Sequence, residues 1–333
     1  MTYDPVFQAR KNLEEWSASK KRRGESNHWK GFNPRIAQIK DLSTFRAVNA
    51  SGEDVRLGLD GTRVGHDDDT REVFGRLVDK WGMRVVEPLL ECRIGQPPAT
   101  LIRHSDHPEY TADFNDLHLI NFALDFQVAC STSEGKVPRR VVEIGGGYGG
   151  TSAKIAKLFP EASFVLTDLP PAGLLQTYYL SQLFPNDVAV VPLGTELPLE
   201  LQSKRFVICS SDDLGSHLDW CDGAINTRAF GEMNRPVVRK YFELIQSKIL
   251  EHGVFMNVNR LQKVGYRFTD YPYDNFWEVL SSETAFEQSG LWSLITRRLT
   301  RENSSFPSWR AGVPVKPLGG PVEQIKYRLF GLR

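Results

Sequence analysis

The sequence predicts an α/β fold in which a mostly parallel sheet, covered on both faces, follows a helical region over residues 1–135. Three observations carry this expectation. From Arg139 onward short apolar runs alternate with helical periods. The stretch 141–150 is an apolar run, Val141-Val142-Glu143-Ile144, that ends in a turn with glycine at 145, 146, 147, 149 and 150. Before residue 135 the apolar spacing is helical rather than alternating.

In chain order, Val6, Phe7, Leu13 and Trp16 keep a helical period, and the run Lys20-Lys21-Arg22-Arg23-Gly24 breaks it with charges suited to a solvated loop. Asp67, Asp68 and Asp69 read as the cap and acidic first turn of a helix through Val73, Phe74, Leu77 and Trp81. The stretch 103–110 is a polar loop in which His104 and His107 are candidate general bases and Tyr110 a candidate substrate contact. A helix over 114–126 follows, and the polar break at 131–140 is the best domain boundary, giving an N-terminal region 1–135, a sheet domain 136–300 and a tail 301–333.

The glycine turn marks a strand, loop and helix that receive a ligand. Glycine adopts positive φ and lets a ligand approach without a Cβ in the way, and the helix start offers unpaired N–H groups. Two ligands fit the spacing. Gly145-x-Gly147-x-x-Gly150, with Asp168 ending the next strand at 164–167, satisfies a dinucleotide fingerprint and suits a nicotinamide cofactor. Glu143-x-Gly145-x-Gly147-x-Gly149 suits a cationic ligand, because a carboxylate at the strand tip attracts a sulfonium or ammonium and repels a pyrophosphate. A helix then starts at Pro170-Pro171 and ends before Pro185; 188–191 is a short strand, 206–209 a clear one, 222–227 the next and 254–259 the one after.

Ligands in such sheets bind outside the carboxyl ends of the strands. Asp212 and Asp213, after 206–209, read either as acceptors for an adenine amine or as a helix cap. His217, Asn226, Arg228 and Glu232 follow the third and fourth strands of this series and are site candidates, with Tyr271 a further one. The run 291–296 reads as an edge strand.

Composition excludes several partners. The 41 basic residues balance the 41 acidic ones, so no global field draws nucleic acid or an anionic membrane. No apolar stretch approaches the ~20 residues of a membrane span, and the start lacks the apolar core of a secretory signal. Cys92, Cys130, Cys209 and Cys221 show no C-x-x-C spacing, which suits reduced core thiols and a cytoplasmic setting.

Three blocks resemble the class I S-adenosylmethionine-dependent methyltransferases and, among them, the bacterial sugar O-methyltransferases. They are Glu143-x-Gly-Gly-Gly-Tyr148-Gly-Gly, Thr167-Asp168-Leu169-Pro170 with its Leu-Leu-Gln-x-Tyr-Tyr-Leu helix, and Ile225-Asn226-Thr227-x-x-Phe230-x-Glu232-Met233. The resemblance covers residues 140–300 and implies a Rossmann-like methyltransferase sheet with an antiparallel edge strand. It implies S-adenosylmethionine as cofactor, with Glu143, Gly145, Gly147, Tyr148, Gly149, Asp168, Leu169, Asp212, Asp213 and Asn226 around it. The acceptor is then a sugar or glycoside hydroxyl, contacted by Arg228, Tyr110 and Tyr271, with His217, Glu232, His104 or His107 taking its proton. A divalent metal through Asp212, Asp213 or Asp219 has ligand type alone behind it, and a homo-oligomer is compatible. The rival readings are a nicotinamide-dependent oxidoreductase and a non-catalytic module that keeps the cofactor pocket.

Overall fold

A computed structural model describes residues 3–19, 26–47, 67–103, 109–132, 137–263 and 266–314. The strands in chain order are β1 (Ala99–Ile102), β2 (Tyr110–Asp113), β3 (Arg140–Ile144), β4 (Ser163–Asp168), β5 (Val188–Val190), β6 (Phe206–Ser210), β7 (Cys221–Thr227), β8 (Ile249–Arg260), β9 (Gln262–Lys263), β10 (Tyr266–Arg267), β11 (Trp277–Thr284) and β12 (Leu291–Arg298). The helices are α1 (Pro5–Ala18), α2 (Asn27–Ala37), α3 (Asp67–Trp81), α4 (Met83–Val86), α5 (Phe114–Thr132), α6 (Gly150–Leu158), α7 (Pro170–Leu183), α8 (Leu214–His217) and α9 (Arg235–Lys248).

Eight strands form one sheet in the order β5-β6-β4-β3-β7-β8-β12-β11. Parallel pairing runs from β5 to β8, and β12 and β11 close the far side antiparallel. This is a Rossmann-like sheet: mostly parallel, with antiparallel pairing at one edge. Its winding reverses at β3, which has β4 on one side and β7 on the other, so the tip of β3 faces the crevice of a topological switch point.

Two expectations need correction. The first third is not wholly helical, because β1 and β2 form an antiparallel hairpin. The four residues of β1 alternate exposed and buried, a period too short to stand out beside Pro97-Pro98. The run 291–296 is not the edge strand: β12 lies between β8 and β11. All six of those residues are buried, as an interior strand requires, whereas the neighbouring β11 is mostly half-exposed.

One face of the sheet packs against α5, α6 and α7 and shares its core with Ala9, Leu13 and Trp16 of α1. The other packs against α9 and the aromatic side chains Tyr271, Tyr273, Trp277 and Trp309. The edge at β5 is covered. The Tyr3 hydroxyl accepts from Val190 N at 2.7 Å, and Asn12 Nδ2 donates to Val191 O at 2.8 Å, so open strand groups are satisfied there. All four cysteines are free thiols. No helix among the described residues is long and apolar enough to cross a membrane.

A buried ionic network joins the N-terminal region to the sheet domain. Arg46 donates to Asp113 Oδ2 at 2.8 Å and to Glu91 Oε2 at 3.3 Å, and Lys154 of α6 meets Asp116 of α5 at 2.7 Å. Asp116 Oδ2 also accepts from Glu91 N at 3.1 Å. The Arg46 guanidinium lies 4.9 Å from the centre of the Tyr148 ring, so the network reaches the glycine turn. Burial pushes Asp113 up to about 6 against the pull of Arg46. Removing one partner from such a network leaves a buried charge uncompensated, so Arg46→Leu is expected to lower unfolding free energy by about 3–5 kcal/mol in urea denaturation. Adding Asp113→Asn to that variant should recover part of the loss.

Candidate functional site

The site starts where β3 ends. The turn after Ile144 needs glycine, because Gly145, Gly147 and Gly149 have φ of 66°, 59° and 84°. Gly145 N donates to Thr167 O at 2.7 Å and Gly149 N to Gly146 O at 2.8 Å, which fixes the turn to β4 and to itself. Gly145, Gly146 and Gly147 are half-exposed, and these three form the open part of the cradle. Gly149 is buried against Leu180 and Leu166, and a Cβ on Gly150 would meet Leu119 Cδ1 at 2.5 Å. The last two glycines therefore serve helix packing and not ligand approach.

Glu143 sits under the turn and does not reach into the open side. It is 1% exposed, and its Oε2 accepts from Ser152 Oγ at 2.5 Å, tying the strand tip to the first turn of α6. A Cβ on Gly146 would lie 2.8 Å from Glu143 Cδ, so the glycine makes room for the carboxyl group. The second oxygen, Oε1, has no hydrogen-bond partner. Burial pushes this acid up to about 7, with hydrogen bonds from Ser152 opposing and the charge of Asp168 reinforcing.

Asp168, at the tip of β4, closes the cradle from the side. Its Oδ2 accepts from Gly147 N at 3.0 Å and its Oδ1 from Leu169 N at 2.7 Å. Burial pushes it up to about 7 against those two bonds, and Glu232 adds in the same direction. A narrow cleft beside it is lined by Asn12, Gly173, Cys209 and Ser210. Asp213 Oδ2 accepts from Gly194 N at 3.2 Å, Asp212 is exposed, and neither carboxylate caps α8.

Across the crevice, the segment after β7 lies on the turn. A Cβ on Gly145 would overlap Ala229 Cβ and stand 3.2 Å from Met233 Cε. Arg228 has φ of 66°, donates to Asn115 Oδ1 at 2.7 Å and to Gln288 Oε1 at 2.9 Å, and so bridges α5 to the β11–β12 connection. Glu232 is ion-paired with Lys263 of β9, whose ammonium burial pulls down. Asn226 is wholly buried and its amide is committed to the protein, with Nδ2 donating to Ile144 O at 2.7 Å.

The structure thus brings together Glu143, Gly145, Gly147, Asp168, Asn226, Arg228 and Glu232, and sets others apart. His217 is a correction. Its carbonyl accepts from Arg140 Nη2 at 2.9 Å, and Arg140 begins β3, so His217 lies at the opposite edge of the sheet from the turn. Tyr271 is a second, being 1% exposed and stacked on Phe242 at 5.7 Å. Tyr110 is a third, since its ring is buried beside Phe74 at 6.1 Å. Tyr148 turns its ring into the core against Tyr179 at 4.9 Å, and Leu169 is buried. His104 and His107 lie outside the described residues. No metal-binding group of His, Cys, Asp and Glu occurs among the described residues. A roomier cavity, lined by Cys130, Asp222 and His252, is at the amino-terminal edge of the sheet, away from every strand tip.

Sequence reasoning missed Ser152, Lys263, Asn257 and Asn259. A signal existed for the last two: two asparagines two positions apart interrupt the apolar run of β8 on one face.

Neither a family model nor a curated protein matches the sequence. Solved structures align with parts of the chain at low identity and low TM-score. TrmN from Thermus thermophilus is 12% identical with a TM-score of 0.36, over 53% of this chain and 49% of that one, so the chain spans about half of TrmN. A Klebsiella pneumoniae protein described as an O-methyltransferase is 12% identical with a TM-score of 0.42, over 70% and 99% of the two chains. CalS10, an amino pentose methyltransferase from Micromonospora echinaspora solved with S-adenosylmethionine bound, is 14% identical with a TM-score of 0.31, over 55% and 64%.

The two acids make stability pH-dependent. Their folded values, about 7, lie above the ordinary 4.5 of glutamate and 3.8 of aspartate, so the stability they contribute is complete below about pH 4 and lost as pH rises through 7. Glu143→Gln removes the penalty of ionising a buried acid while keeping an acceptor for Ser152. It is expected to raise the melting temperature of the ligand-free protein more at pH 8 than at pH 5, as read by calorimetry.

Proposed function

We propose that this chain is an S-adenosylmethionine-dependent methyltransferase acting on a hydroxyl of a sugar or sugar-containing metabolite. The observation that carries the cofactor is the unpartnered Glu143 oxygen beneath a turn of left-handed glycines, with a second acid, Asp168, at the neighbouring strand tip. Two acids raised to about 7 are stabilised in their ionised form by a cation. The dinucleotide alternative is disfavoured by the same geometry. A pyrophosphate needs the N-terminus of the helix, and Gly149, Gly150, Thr151 and Ser152 are all buried there. It would also lie beside two carboxyl groups.

When bound, the cofactor supplies a methyl group already activated on sulfonium. The protein's part is to orient the acceptor oxygen, exclude water and take a proton. Gly145 and Gly147 offer the backbone face for the methionine portion, Glu143 and Asp168 the negative charge, and Asp168 the acceptors for ribose hydroxyls. Of the base candidates among the described residues, Glu232 rather than His217 is on the crevice: it follows β7, adjoins Met233 over Gly145, and is held by Lys263. It takes the proton from the acceptor hydroxyl. Arg228, pinned between Asn115 and Gln288, forms the acceptor-side wall. The sugar class rests on the sequence blocks named above.

Titration calorimetry is expected to give heat with S-adenosylhomocysteine and none with NADH; binding of NADH alone would overturn the cofactor. In a methyl-transfer assay with a panel of glycosides and sugar nucleotides, Glu232→Gln should lower kcat by about 10²–10⁴ while S-adenosylhomocysteine still binds. Full activity in that variant would remove Glu232 as the base.

A further inference from the structure

Three asparagines with no exposed surface form a ladder across β7 and β8: Asn226, Asn257 and Asn259. Asn226 is in register with Asn257 on the neighbouring strand. Asn259 Nδ2 donates to Asn226 Oδ1 and to Asn257 Oδ1, each at 2.7 Å, and Asn257 Nδ2 donates to the Tyr273 hydroxyl at 3.2 Å. The ladder also bonds to main chain. Asn226 Nδ2 donates to Ile144 O at 2.7 Å, the carbonyl immediately before Gly145. Asn226 Oδ1 accepts from Phe230 N at 3.1 Å, and Asn259 Oδ1 accepts from Gly231 N at 3.2 Å.

A sheet of this kind gains nothing in pairing from amides in its interior, since the backbone ladder is already complete and buried polar groups must be fully satisfied to avoid a cost. What the amides add is direction. Their main-chain bonds end on the strand tip that begins the glycine turn and on the two N–H groups of the segment lying over it. That segment carries Ala229 and Met233, which press on Gly145, and Glu232 lies between them.

We infer that Asn259 is a positioning residue: acting through Asn226, it holds the 229–233 segment against Gly145 and so sets the width of the cradle and the place of Glu232. This rests on the cofactor reading proposed above. Without the Asn259 amide, Gly231 N loses its acceptor and Asn226 Oδ1 loses one donor, so the segment keeps only its ties at Phe230 N and Glu232 and is held less tightly, while the turn itself stays bonded to Thr167. Tyr273, at the other end of the ladder, touches neither the turn nor the segment through these bonds and provides the contrast.

The test compares the full chain with its Asn259→Ala and Tyr273→Phe variants in calorimetric titration with S-adenosylhomocysteine and in hydrogen exchange of peptides covering 229–233. Misplacement of a cradle wall is expected to weaken binding at least about tenfold in Asn259→Ala and to speed exchange in that segment, whereas Tyr273→Phe lowers the melting temperature and changes neither. Wild-type affinity together with wild-type exchange in Asn259→Ala would overturn the inference, and so would equal effects in both variants. If the wild-type protein itself fails to bind S-adenosylhomocysteine, the cofactor reading falls; the exchange comparison then decides the positioning role by itself. If Asn259→Ala does not fold, Asn259→Ser, which keeps a hydroxyl acceptor for Gly231 N, is expected to restore folding and part of the protection; unaltered exchange in it relative to Tyr273→Phe also overturns the role.

Discussion

The hydrogen bond between Ser152 and Glu143 fixes the geometry on which the site depends. It joins the end of the central strand to the start of the following helix and pulls the carboxyl group beneath the turn. The glycines then follow as a steric consequence. A side chain at 146 would occupy the space of that carboxyl, and the turn between strand and helix passes through left-handed conformations at 145, 147 and 149. A carboxyl so placed, buried and only partly satisfied by hydrogen bonds, is costly to ionise without a nearby positive charge.

Three sets of contacts hold this element in place. From below, α6 is tied by Lys154 to α5, and Arg46 stacks on the ring of Tyr148, which is itself part of the turn. From the side, Asp168 grips Gly147 N. From above, the segment after β7 rests on Gly145 and is fastened to the sheet by the asparagine ladder. The N-terminal region therefore shares in the site through packing and charge, although the strand tips supply its polar groups.

Much of this was legible in the sequence. The parallel sheet, the strand and turn at 141–150 and the acid ending the next strand at 168 follow from local periodicity and glycine spacing, which depend on neighbours in the chain. What was not legible depends on distant neighbours. Glu143 was expected to face the ligand, but the Ser152 hydroxyl nine residues away captures it. Gly149 and Gly150 match fingerprints in spacing, yet Leu180 and Leu119 occupy their surroundings. His217 follows a strand that ends on the crevice, but α8 is one turn long and the chain is already returning to the opposite edge. Tyr271 looked like a contact residue and is drawn into an aromatic core by Phe242 and Phe230. The ionic network of Arg46, Glu91, Asp113, Asp116 and Lys154 has no local pattern at all, since its members come from four separate stretches of chain.

The most direct test of the proposed cation-binding cradle is a crystal structure of the protein grown with S-adenosylmethionine. The account predicts density for the cofactor over Gly145 and Gly147, with its ribose at Asp168 and its sulfonium on the side of Glu232. Density only in the cavity beside Cys130 and His252, or a glycine turn that stays empty at saturating cofactor, would contradict it.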